Sequence, residues 1–304
     1  MPIGAISKVQ FPISKSPYMV TIRDKSRNSG LTSIRFLDQH HLVCCDFNAR
    51  TIYLVRFDVA NGWKIIHQHP TVIHTGQAAQ TDLMDSSGNI CVVTNFNQGS
   101  LSFYAIEDGK IKFLKEVNPN SCVNAHGVRF LPGHPDLVWV SYCGIQNKCA
   151  QIIDWRKEEV VQSIDLEEQA QDAAFMGPYI LQFARTNHAF KMVASGQTPP
   201  RPKMYTTVYL FKVSEGFPKS KPVLLDEWHG DGHIDAAKEY KGRVYATNQY
   251  TDTVDVFEIN KNKIFCTERL RGFEMPHGLD ITHNGILAVT NYHDQTLRLT
   301  KILD

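Results

Sequence analysis

The sequence predicts an all-β chain folded as a single domain over residues 1–304, a six-bladed β-propeller of four-stranded antiparallel blades whose ring is closed by the N-terminal strand. Short alternating strands separated by turn residues dominate the chain, and helical periodicity is nearly absent. The same order of strands returns at a period of roughly 45–50 residues, the signature of a propeller. One position recurs at the start of a strand in each repeat: Thr32, Gln80, His126, Gln171, His233 and His277. Such a ring would surround a common axis, and half of it is histidine.

The N-terminal segment, Ile6 to Phe11 or Met19 to Arg23, supplies the strand that the last repeat lacks. In repeat one, Thr51-Ile52-Tyr53-Leu54-Val55-Arg56-Phe57 alternates as a half-buried strand should. Repeat two reads Thr81 to Met84, Ile90 to Thr94, Leu101 to Ile106 and Ile111 to Val117, with the turn Asp85-Ser86-Ser87-Gly88-Asn89 between the first pair. Repeat three reads Gly127 to Phe130, Leu137 to Tyr142, Ala150 to Trp155 and Val160 to Ile164. Leu166 to Ala170 fits one helical turn. Repeat four carries an insertion, Thr186 to Tyr205, rich in proline at Pro199, Pro200 and Pro202; a loop that long is usually functional or disordered. Repeat five follows the polar stretch Glu227-Trp228-His229-Gly230-Asp231-Gly232, and repeat six ends on Thr296 to Ile302.

Composition narrows the function classes. Net charge is +1 with both signs interspersed, which supports neither a nucleic-acid groove nor an anionic membrane surface. No run is long and apolar enough for a bilayer, and Met1-Pro2-Ile3-Gly4 does not open a signal peptide. The seven cysteines form no CxxC pair, as expected of reduced thiols in a cytoplasmic protein. A secreted chain whose signal has been removed is the alternative. Oligomeric state is left open.

In a four-stranded blade, the start of the inner strand and the turn joining strands two and three lie on one face. His126, His233 and His277 therefore share a face with the insertion (Asn187, His188, Lys191) and with turns carrying Tyr142, Gln146, Tyr250, Tyr292, His293 and Asp294. Three converging imidazoles suit a divalent metal ion, zinc or another transition metal, and leave a position for water or substrate. Asp235 and Asp280 are candidate partners behind them. Alternatively, each histidine simply hydrogen-bonds the neighbouring blade and closes its turn. Tyr250 and Tyr292 are candidate proton donors, and Arg185 can hold a carboxylate or form a salt bridge. Trp228, His229 and Asp231 are candidate pocket walls, and Cys143 a candidate nucleophile. The recurring Asn95, Asn248 and Asn291 read as turn residues. No nucleophile elbow or phosphate-cradling loop is present.

The repeats resemble those of six-bladed propellers of the NHL and TolB-like group, including gluconolactonase-type and strictosidine-synthase-type proteins. The resemblance implies a propeller fold. Gluconolactonase-type enzymes hold their cation with a first-blade Glu; the matching stretch here, Gly30-Leu31-Thr32-Ser33, has none, which argues against a lactonase. Met275-Pro276-His277-Gly278-Leu279-Asp280 is similar to a metal-site segment of peptidyl-hydroxyglycine amidating lyases. That likeness implies metal ligation by His277, with His126 and His233 in the matching places.

The expected function is a small-molecule enzyme with a histidine-lined axial funnel. Its chemistry is of the non-redox lyase, hydrolase, isomerase or cyclase type, in which His126, His233 and His277 either hold one divalent ion or act directly as acid and base. The same three histidines, with Tyr250, Tyr292 and Arg185, form its catalytic group. The alternative is a non-catalytic propeller serving as a protein-interaction scaffold.

Overall fold

Each repeat folds into one antiparallel sheet because its strands are short, alternate in polarity and are joined by tight turns. The computed structural model describes residues 7–10, 30–58, 62–73, 76–119, 122–144, 146–185, 205–292 and 296–303. Within them lie six four-stranded sheets in meander order, the blades of a six-bladed β-propeller. The innermost strands are β2 (Leu31–Phe36), β6 (Thr81–Ser87), β10 (Ala125–Leu131), β14 (Gln169–Met176), β18 (Ile234–Tyr240) and β22 (Pro276–Ile281). Each packs against the inner strand of the next blade, and β22 returns to β2.

Closure follows the first of the two N-terminal alternatives. Strand β1 (Ser7–Gln10) pairs antiparallel with β24 (Thr296–Lys301), Ser7 opposite Leu299 and Gln10 opposite Thr296, and completes the sixth blade. The other alternative, Met19 to Arg23, falls outside the described residues, as does the 186–204 insertion.

Apolar side chains from facing sheets form six clusters, one between each pair of adjacent blades. Trp139, Phe103, Phe183, Phe257 and Leu31 are fully buried there. Each such side chain contributes about 1.5–3 kcal/mol through burial. The polar edge of Trp139 is satisfied across blades, its Nε1 donating to Gln182 Oε1 at 2.8 Å.

Two expectations change. Leu166 to Ala170 forms no helical turn: Gln169 and Ala170 already pair with Arg185 and Ala184 and open β14. The Trp228–Asp231 stretch lies on β17 (Val223–Asp231), the outermost strand of blade four, so it walls no axial pocket. Its alternation is that of an edge strand, and Trp228 points inward onto Phe257 with ring centroids 5.1 Å apart.

The feature that builds the site is an irregularity at the start of every inner strand. Pairing with the second strand slips after Leu31, Thr81, Ala125, Ala170, Ile234 and Pro276. In a regular strand residues i and i+2 share a face; a bulge adds a residue to that spacing. Residues three apart then both face the axis. The upper ring is Thr32, Asp82, His126, Gln171, Asp235 and His277, and a lower belt holds Arg35, Asp85, Arg129, Lys238 and Asp280. Gln80 and His233 therefore do not belong to the ring. They precede its members Asp82 and Asp235 by two residues, a register that sequence similarity alone misplaced in blades two and five.

Candidate functional site: a histidine–aspartate cluster on the propeller axis

The upper ring repeats itself across the molecule. Blades two and three contribute Asp82 and His126; blades five and six contribute Asp235 and His277. The two imidazoles stack face to face across the axis, centroids 5.8 Å apart and planes inclined by 24°.

Local sequence fixes each imidazole in the same way. His126 Nδ1 lies 2.9 Å from the Gln171 carbonyl, and His277 Nδ1 lies 2.9 Å from the Thr32 carbonyl. A carbonyl only accepts, so both Nδ1 atoms carry the proton and donate it. Both Nε2 atoms are thereby turned to the axis. Gly127 and Gly278, which follow the two histidines, make this approach possible: a Cβ at either position would collide with that same carbonyl. The backbone just before each histidine is left-handed, at Asn124 (φ 59°) and at Met275 (φ 46°). For a methionine this conformation is costly. It is held by Met275 N–H donating to Asp252 Oδ1 (2.9 Å) and by Tyr292 N–H donating to the Met275 carbonyl (2.9 Å).

The carboxylates close the cluster. Asp82 Oδ1 lies 3.3 Å from His277 Nε2, and Asp82 Oδ2 lies 3.5 Å from His126 Nε2. Asp235 Oδ1 lies 3.4 Å from His126 Nε2 and 3.1 Å from His233 Nε2. All of these residues are buried, Asp235 most of all at 1% exposure. Asp82 Oδ1 and Asp235 Oδ2 are buried with no hydrogen-bond partner. Asp82, His126 and His277 each offer one ligand atom within 4.8 Å of the others, a set able to hold a metal ion.

Electrostatics follow from burial and charge. Burial works to lower the His126 pKa, but Asp82 and Asp235 outweigh it and raise it above 6.5. His233 is lowered, by burial and by Arg185, against the pull of Asp235. Burial opposes ionisation of Asp235, yet His233, His277 and His126 hold its pKa well below the usual carboxylate value. Burial pushes the Cys143 thiol up to about 12, which removes the thiolate a nucleophile needs.

The remaining candidates occupy distinct places. His233 stands just above the ring, its Nε2 2.7 Å from Arg185 Nη1, and is not part of the Asp82–His126–His277 set. Tyr292 stacks on His277 with centroids 5.6 Å apart, and burial raises its pKa. Tyr250 is half-buried in the turn after β19 (Arg243–Asn248), on the same face as His233. Tyr142 is fully buried in an interblade core cluster. Asn248 and Asn291 brace the approach to the inner strands, accepting from the backbone N–H groups of His233 (3.1 Å) and Glu274 (3.0 Å). Asp280 sits in the lower belt with Lys238 (3.3 Å), away from the imidazoles. Asp82 is the member that sequence reasoning overlooked. Its signal was present: five inner strands carry a polar ring residue with a charged residue three positions on, at 32/35, 82/85, 126/129, 235/238 and 277/280.

No protein-family model and no curated protein matches the sequence. Among solved structures, the chain is similar to hydrazine synthase of Kuenenia stuttgartiensis, with 12% identity over 94% of this chain and 99% of that one and a TM-score of 0.64. The WD40 β-propeller domain of Doa1 is similar at 10% identity, covering 92% and 95% of the two chains, with a TM-score of 0.58. The Cps50 (Swd1) β-propeller domain of Myceliophteria thermophila gives 10%, 93% and 99%, with a TM-score of 0.57. The likeness is one of fold. At these identities the likeness shows the fold alone, and fold does not choose a function.

Proposed function

We propose that this propeller is a metal-assisted enzyme acting on a small molecule at the axis, with non-redox lyase, hydrolase or isomerase chemistry. Asp82, His126 and His277 hold one divalent transition ion. One observation carries this reading: two imidazoles from opposite blades turn their Nε2 atoms to the carboxylate of Asp82, because neighbouring carbonyls hold both Nδ1 protons. That is the arrangement of metal-binding histidines, whose tautomer is set by the bond the other nitrogen makes. Asp82 Oδ1, which accepts no hydrogen bond among the described residues, supports it further, since a buried carboxylate oxygen is costly without a full set of partners.

Such an ion supplies Lewis-acid polarisation of a substrate oxygen or a water of lowered pKa. Asp235, a member of the same ring, stays ionised against His126, and Tyr292, kept protonated by burial, packs on His277.

The test is elemental analysis and zinc titration of protein purified without tag or chelator. Wild type should take up one equivalent, and at a hundredfold excess over Kd gain about 2.7 kcal/mol of stability. Asp82→Asn and His277→Gln should lose most of that gain while remaining folded. Stability unmoved by zinc, nickel, cobalt or manganese sinks the metal reading. A scaffold reading then gains ground from the apolar side chains exposed on the outer strands of blades four and five: Val223, Leu224, Leu225 and Phe265.

A further inference from the structure

We propose that the mouth of this site binds a small monoanionic carboxylate, with Arg185 as its clamp. The proposal rests on the metal reading for its charge balance and on Arg185 itself for its geometry.

Among the described residues four cationic side chains face the axis, and three of them pair with a carboxyl group. Arg35 pairs with Asp85 at 2.8 Å, Arg129 pairs with Asp172, and Lys238 pairs with Asp280 at 3.3 Å. Arg185, half-buried at the end of β15 (Tyr179–Arg185), has no carboxylate within 4.0 Å among the described residues. Its neighbours are Gln169 Oε1 at 3.3 Å from Nε and His233 Nε2 at 2.7 Å from Nη1. The chain that follows, residues 186–204, contains no Asp or Glu.

The contact with His233 is frustrated. A guanidinium has no lone pair, so in this contact His233 Nε2 accepts and Nδ1 carries the proton. That Nδ1 is buried without a partner. Nε2, as acceptor, also faces Asp235 Oδ1 at 3.1 Å, setting two lone pairs against each other. An anion on Arg185 resolves both problems. The guanidinium turns to it, and His233 becomes free to carry its proton on Nε2 and donate to Asp235.

Charge points the same way. The carboxylates of Asp82 and Asp235 balance a divalent ion and leave the single charge of Arg185 over. A planar monoanion matches that charge and the fork of the guanidinium, which binds carboxylates through two parallel hydrogen bonds.

The experiment is calorimetric titration of acetate into zinc-loaded protein, wild type against Arg185→Met and Arg185→Lys, after checking that all three bind zinc. In parallel, the His233 imidazole resonances of metal-free protein report acetate directly. Arg185→Met should weaken acetate binding by at least about tenfold, and Arg185→Lys should restore only part of it. Zinc affinity should change far less than acetate affinity. Equal acetate affinity in wild type and Arg185→Met overturns the clamp, and binding of inorganic phosphate but not acetate overturns the carboxylate. Should wild type bind no zinc, the metal reading fails separately. The clamp then stands if acetate moves His233 in metal-free wild type and not in Arg185→Met, and falls if it moves neither.

Discussion

His126 serves the frame and the site with its two nitrogens. Nδ1 joins blade three to blade four through the Gln171 carbonyl, as the plain structural reading of this histidine expects, and this turns Nε2 to the carboxylates of Asp82 and Asp235. The pH dependence separates these roles. Because the folded pKa of His126 is raised above 6.5, its charge stabilises the metal-free fold fully below that value, and the contribution is lost as pH rises through the folded pKa. The stability gap between wild type and His126→Gln should therefore be wider at about pH 5.5 than at about pH 9, read from denaturant midpoints. Asp235 has the opposite sign. Its depressed pKa contributes stability above about 3.8 that is lost as pH falls through the folded value. The gap between wild type and Asp235→Asn should close in acid. Zinc competes with the proton on His126, so zinc affinity should climb as pH rises past that same transition.

The inner strand is the unit in which the sequence was partly legible. Strand number, order and closure could be read because turns and alternation repeat from blade to blade, and the spans expected in repeats two and three fall inside the observed strands except at Trp155. Registry at the axis could not be read by similarity: His233 resembles His126 and His277 as a residue, yet Asp235 occupies their place. The bulge changes the face-sharing interval from two residues to three, and ordinary strand periodicity does not carry that information. The His-Gly pairs did carry it. Blades three and six need glycine after the ring residue because the next blade's carbonyl approaches there, whereas blades two and five carry Leu83 and Ala236. Gly127→Ala and Gly278→Ala should each cost about 2–4 kcal/mol in denaturant unfolding, since backbone must move to make room. Each should also weaken zinc binding by displacing its histidine. Wild-type stability and affinity in both variants would show that the carbonyl contact does not position the imidazoles.

The whole ring depends on how its ends meet. Along the axis, the belt of Arg35, Asp85, Arg129, Lys238 and Asp280 alternates in sign from blade to blade, and in blade four, where Ala174 carries no polar group, Asp172 accepts from Arg129. Asp280 also accepts from Phe36 N–H and Asp85 from Phe130 N–H, both at 2.8 Å. Blade six is thus tied to blade one at the axis by Asp280 and His277, from opposite sides of the inner strands. At the rim, closure rests instead on β1, whose four residues each pair with one on β24. Cross-strand pairs contribute roughly 0.2–1 kcal/mol each, so deleting residues 1–10 should cost about 1–4 kcal/mol and expose β24 as an edge. A thermal melt should drop by several degrees, and a synthetic peptide of residues 1–12 added in trans should restore it. The axial ties are untouched by the deletion, so zinc should bind the truncated ring at close to wild-type affinity. Loss of zinc binding along with the melting shift would mean that the rim strand, rather than the axial hydrogen bonds, holds blades six and one in place around the cluster.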